Sequence, residues 1–220
     1  MTLESVFRVI FLSDSAGKKT LDALVSALDT DEETPSYNRH NEYSATVFGE
    51  SRRYGLDWFS GDISKIAYNE EIVTLDLTCS VLFQGESPGQ QQFEETFDLV
   101  RQFYQGIDAQ YVFGMHSERI ETIGLPENRN GIRSPISDES LAQNRIVTPT
   151  WLMLFPPAMV EEYGREWLLD LPAERIEELD DGTIMIVATT DIFDADSDFE
   201  IANAVGEGLQ PLEDAFAEKH

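Results

Sequence analysis

The sequence predicts an α+β fold with a mixed, mainly antiparallel sheet and helices packed on one face. Three observations carry this. Residues 72–81 alternate strictly, Ile72, Thr74, Asp76, Thr78 and Ser80 interleaving with Val73, Leu75, Leu77, Cys79 and Val81, as a half-buried antiparallel strand does. Phe93, Phe97, Val100 and Tyr104 recur at helical spacing. The strands and helices do not follow one another in the regular alternation of a doubly wound parallel sheet.

Taken in order, Val6 to Leu12 is β-branched and aromatic and stops at the turn 13–17, so it reads as a strand. Thr20 caps a helix whose apolar stripe is Leu21, Leu24, Val25 and Leu28. Segments 43–49 and 53–68 are the expected partners of strand 72–81, with Gly49, Gly55 and Gly61 marking turns or bulges. Ser87-Pro88 opens the second helix, and Gly106 stops it. A strand at 109–115 precedes a polar stretch, 124–148, read as an insertion or long loop with one short helix near 137–143. After Trp151 come a strand, a helix from Pro156-Pro157 to Gly164, and a helical stretch over 166–178. Asp181-Gly182 then turns into a β-branched strand, 183–190. Ser197-Asp198-Phe199-Glu200 is a capping box for a last helix that turns Ile201, Val205 and Leu209 inward until Pro211 disturbs it. The expected organisation is one domain over 1–220, with a two-part layout, 1–115 and 150–220, as the alternative.

Hydrophobic residues make up 41% of the 220 positions, enough for a packed core, so wholesale disorder is excluded. Acidic residues number 42 against 15 Lys and Arg, a formal charge of −27 that repels phosphate backbones and argues against a nucleic-acid partner. Lysine is confined to Lys18, Lys19, Lys65 and Lys219, and the acids are scattered through every segment, a pattern that reads as halophilic adaptation. A nucleic-acid mimic or acidic plug would need that charge on one face. The start, MTLESVFRVIFLSDSAGKK, puts an acid ahead of a short apolar stretch, and no run approaches a membrane span. The expectation is a cytoplasmic chain without a membrane partner.

Each catalytic or ligand-binding pattern lacks a necessary member. AGKKT follows a strand as a phosphate loop does, but Leu12 stands where the loop needs glycine, and Lys18 is followed by Lys19 instead of a hydroxyl residue. Asp194, Asp196 and Asp198 have calcium-loop spacing, yet Phe199 and Val205 occupy the positions of the turn glycine and the bidentate glutamate. His40, His116 and His220 lie too far apart in sequence for a zinc motif. Cys79, the single cysteine, sits in mid-strand and not at a helix N-terminus that would activate a thiol. The expectation is therefore no catalytic residue, no metal and no cofactor. Trp58-Phe59, between glycines on a hairpin, is either core or an exposed hot spot for a partner.

Residues 151–194 combine an aromatic-rich strand, a helix closed by glycine, a Pro-Ala step and an Asp-Gly turn into an apolar strand. The matching positions are Trp151, Pro157, Val160, Gly164, Pro172, Ala173, Asp181, Gly182, Ile184, Ile186 and Asp191. This segment resembles the C-terminal signature of the immunity 52-like, DUF3396-like type VI immunity proteins. The resemblance implies a non-enzymatic cytoplasmic binder that occludes a cognate toxin. Trp58, Phe59, Asp191, Asp194 and Asp196 are then the candidate partner-binding residues. An uncharacterised enzyme or small-ligand domain on an α+β scaffold is the alternative.

Overall fold

The computed structural model describes residues 6–13, 37–40, 44–48, 53–59, 73–80, 90–106, 109–116, 135–136, 138–190 and 198–219. The fold is α+β. The chain divides into two compact units, one comprising Met1–Leu82 and Pro88–Gln110, the other Phe83–Ser87 and Tyr111–His220.

The first unit holds five antiparallel strands: β1 (Val6–Ser13), β2 (Tyr37–Arg39), β3 (Ser44–Phe48), β4 (Arg53–Phe59) and β5 (Val73–Ser80), in the order β2-β3-β4-β5-β1. The alternating strand is flanked by β4 and β1, so segment 44–48 lies one strand further out than its expected place beside β5. Cys79 stands opposite Phe7 of β1. Helix α1 (Gln90–Gly106) buries the expected stripe of Phe93, Phe97, Val100 and Tyr104 and adds Leu99 and Phe103. Its hold on the sheet is apolar and specific: the Phe103 ring meets Phe11 edge-on, centroids 6.3 Å apart. The helix expected over 20–28 lies outside the described residues.

In the second unit β6 (Ala109–His116, from Tyr111 on), β7 (Leu152–Phe155), β9 (Ile184–Val187) and β8 (Arg175–Glu178) pair antiparallel in that order. LMLF of β7 and IMIV of β9 are buried at every position, which is why they read as continuous apolar runs instead of alternating ones. Gly114 of β6 is required by packing: a Cβ there would enter the indole of the buried Trp151.

Short helices frame this sheet. Helix α2 (Asp138–Ala142) ends with Asn144 in the left-handed region, φ 55°. Helix α3 (Pro157–Tyr163) starts on a proline and stops at Gly164, φ 92°, as expected. Asp181 closes its turn by accepting from both the N–H and the hydroxyl of Thr183, 3.0 Å each, while Gly182 takes φ 87°.

One expectation fails here. The stretch 166–178 is not one helix, since α4 (Arg165–Leu169) ends after five residues and 175–178 is strand β8. Pro172 supplies no amide for a continued helix, and pairing with β9 overrides the helical preference of the sequence RIEE. Pro211, expected to disturb the last helix, lies inside it, for α5 (Asp198–Lys219) runs through that position. Pro211 is itself exposed, whereas Leu209, Leu212 and Phe216 on either side are buried, and that burial carries the helix across the missing hydrogen bond. Gly208 lets α5 approach closely, since a Cβ there would stand 2.9 Å from the Thr189 side chain.

Candidate functional site

The second unit contains a pocket of about 440 Å³, walled by α2 and its following turn, by residues 145–149 and by the last turns of α5. These walls belong to the end of the stretch read as a polar insertion. That end is only partly polar: Ile136, Leu141 and Ile146 are buried and tie it into the core.

Fixed contacts hold the pocket in shape. The Pro135 carbonyl accepts from the N–H groups of Val147 (2.8 Å) and Thr148 (3.3 Å), and the Ile146 N–H donates to the Tyr163 hydroxyl at 3.0 Å. Behind the pocket Phe155, Tyr163, Trp167 and Phe216 form an aromatic cluster, with the Trp167 and Phe216 rings edge to face at 5.2 Å. Phe216 belongs to both cluster and pocket, so the floor is braced from below. The Lys219 ammonium sits 5.4 Å from the Trp167 centroid and adds a cation–π contact at the helix end. Burial pushes the Tyr163 phenol above its ordinary value, against the opposing pull of the Ile146 N–H and the Arg145 guanidinium.

The pocket mixes charge and apolar surface. Glu139 of α2 and Glu213 of α5 contribute carboxylates, and Arg145 contributes a guanidinium whose Nε lies 3.7 Å from Glu162. Val147, at the rim, is 46% exposed and stands alone among the described residues as a large apolar side chain in solvent. Among the described residues no three His, Cys, Asp or Glu gather as metal ligands.

Of the residues singled out from sequence, Trp58 and Phe59 belong to the first unit. Trp58 and Phe59 end β4, opposite Leu75 and Thr74 of β5, on an interior strand of the first unit's sheet. Asp191, Asp194 and Asp196 lie outside the described residues, and Asp198 is the first residue of α5. Of the histidines, His40 follows the edge strand β2, its Nε2 2.7 Å from the Thr46 hydroxyl, and His116 ends β6. Glu139, Val147 and Glu213 went unnoticed because no motif or period links them; the one local signal is an apolar pair, Ile146-Val147, inside a polar stretch.

No family model matches this chain. No curated protein matches it either. Among solved structures the fold is similar to that of the Pseudomonas aeruginosa T6SS protein PA0821, with a TM-score of 0.50 and 13% identity, over 95% of this chain and 73% of that one. At that identity the likeness is one of fold. Among the described residues no helix is long and apolar enough to cross a membrane.

Proposed function

We propose that this chain is a non-enzymatic binding protein of the immunity type, which neutralises a toxin associated with type VI secretion by covering it, in the cytoplasm of a salt-adapted cell. The observation that carries this reading is the fold likeness, over 95% of the chain, to a protein described as belonging to a T6SS. The C-terminal pattern from Trp151 to Asp191 supports it independently, because that resemblance was read from residues and not from the fold. A charge of −27 favours a basic protein partner over nucleic acid.

The test is co-expression with the product of the neighbouring reading frame. The expected result is a stable complex and relief of that product's toxicity. A neighbour that is harmless alone and does not co-purify overturns the proposal. The pocket beside α5 favours a second reading, a small-ligand or enzyme domain, which predicts turnover or tight binding of a metabolite by the isolated protein.

A further inference from the structure

We infer that the pocket between α2, residues 145–149 and α5 receives an arginine or lysine side chain presented by a protein partner. This deepens the proposed binding role and rests on it.

The pocket's chemistry comes in two parts that match such a side chain. Val147 at the rim, with Phe216 and Ala217 beside it, offers apolar surface for a methylene stem. Glu139 of α2 and Glu213 of α5 both line the pocket, so a cation that enters it meets negative charge contributed by two helices. A carboxylate has about four acceptor directions, which leaves room for a guanidinium or ammonium beside partners already held. Arg145 does not reverse the sign of the site, because it is one cation against the lining carboxylates Glu139 and Glu213, and Glu162 also lies 3.7 Å from its Nε. Two glutamates against one arginine leave the pocket anionic, on a chain that carries −27 overall and repels anionic ligands at long range.

The exposure of Val147 decides where the cation comes from. A free small cation would settle between the glutamates and leave the valine wet. A side chain projecting from a protein surface covers the valine with its stem and its neighbours while its charged end enters the pocket, and burying that apolar rim is where the affinity arises. The walls need little rearrangement to accept it, since the Pro135 and Tyr163 hydrogen bonds and the aromatic cluster already fix them.

The experiment has two arms on the full chain. In the first, backbone amide shifts of Ile146, Val147 and Ala217 are followed by NMR during titration with acetyl-Leu-Arg-amide, with its uncharged citrulline isostere and with acetyl-Leu-Glu-amide. Saturable shifts with the arginine peptide, about tenfold weaker with citrulline and absent with glutamate, are expected. Loss of the arginine preference in the Glu139→Gln, Glu213→Gln double variant completes the result. An equal response to citrulline, or a stronger one to the glutamate peptide, overturns the inference.

In the second arm, binding of the neighbouring gene product is compared between wild type, Val147→Ser, Glu213→Gln and the remote control Asp180→Asn. Val147→Ser and Glu213→Gln are expected to weaken binding at least about tenfold, with the control unchanged. If the wild type binds and the pocket variants bind equally well, the pocket assignment falls and the immunity reading stands. If the wild type does not bind while the arginine peptide still saturates the pocket, the immunity reading falls and the site's cation preference stands.

Discussion

At the scale of single residues, two positions in the second unit turn packing into measurable stability. Gly114 gives the Trp151 indole its place against β6, and an alanine methyl there would enter the ring. An indole buried to 2% exposure has little room to retreat, so Gly114→Ala should destabilise by about 1–3 kcal/mol, read as a lower urea midpoint with an unchanged slope. Tyr163 makes a different kind of contribution. Its phenol is raised above the ordinary 10.0, first by burial, so the folded state holds this proton more tightly than the unfolded chain does. That stability is intact below pH about 10 and is lost as pH climbs through the folded value. Tyr163→Phe should flatten this alkaline loss in a series of urea midpoints. It should also cost about 1–3 kcal/mol at neutral pH, since the Ile146 N–H loses its acceptor. An alkaline limb as steep as wild type's would assign the loss to other tyrosines.

At the scale of elements, α5 shows where local rules yield to burial. Pro211 lies inside the helix and lacks the amide that would bond back to residue 207, yet Leu212 is fully buried one position on. Pro211→Ala should therefore stabilise: restoring the bond and the propensity is worth up to about 3 kcal/mol, offset by about 0.4–1 kcal/mol for a looser unfolded chain. Leu212→Ala should do the reverse, by about 2–5 kcal/mol, and paired thermal melts of the two variants check both signs. The same contest decided how much of the fold was legible. Helix α1 declared itself because its own buried stripe repeats at helical spacing, and β5 because its sequence alternates apolar and polar residues as an antiparallel strand buried on one face does. β8 did not, because RIEE has no period of its own and becomes a strand only where β9 offers a partner, Ile176 standing opposite Ile186. The pocket was illegible for a related reason: Glu139 and Glu213 are brought to one pocket only by tertiary packing, and a carboxylate in so acidic a chain carries no local mark of being special.

At the scale of the whole molecule, the charge sets the conditions under which all of this holds together. Two opposing effects of salt must be weighed. Added salt weakens the ion pairs Arg165–Glu178 and Arg175–Glu177, the first of which is bidentate and holds the Glu178 carboxyl below its ordinary range. Exposed pairs of this kind contribute little to stability, so their loss is small. Salt also screens repulsion among the excess carboxylates, which crowd the surface at Glu161, Glu162, Glu166, Asp170, Asp180 and Asp181. Two like charges about 10 Å apart in water repel by about 0.4 kcal/mol before screening, and an excess of 27 negative charges makes many such pairs. Repulsion therefore outweighs the lost bridges, and the melting temperature should rise as KCl is raised from about 0.1 to 3 M. The shape of the rise separates screening from a general salting-out effect. The Debye length falls from about 10 Å at 0.1 M to about 3 Å at 1 M and changes little after that, so most of the gain should come below about 1 M. A gain that continues linearly to 3 M would point instead to exclusion of salt from the surface. A melting temperature that stays flat or falls would mean that the acidity is not an adaptation to salt, and that the carboxylates are held for a basic partner.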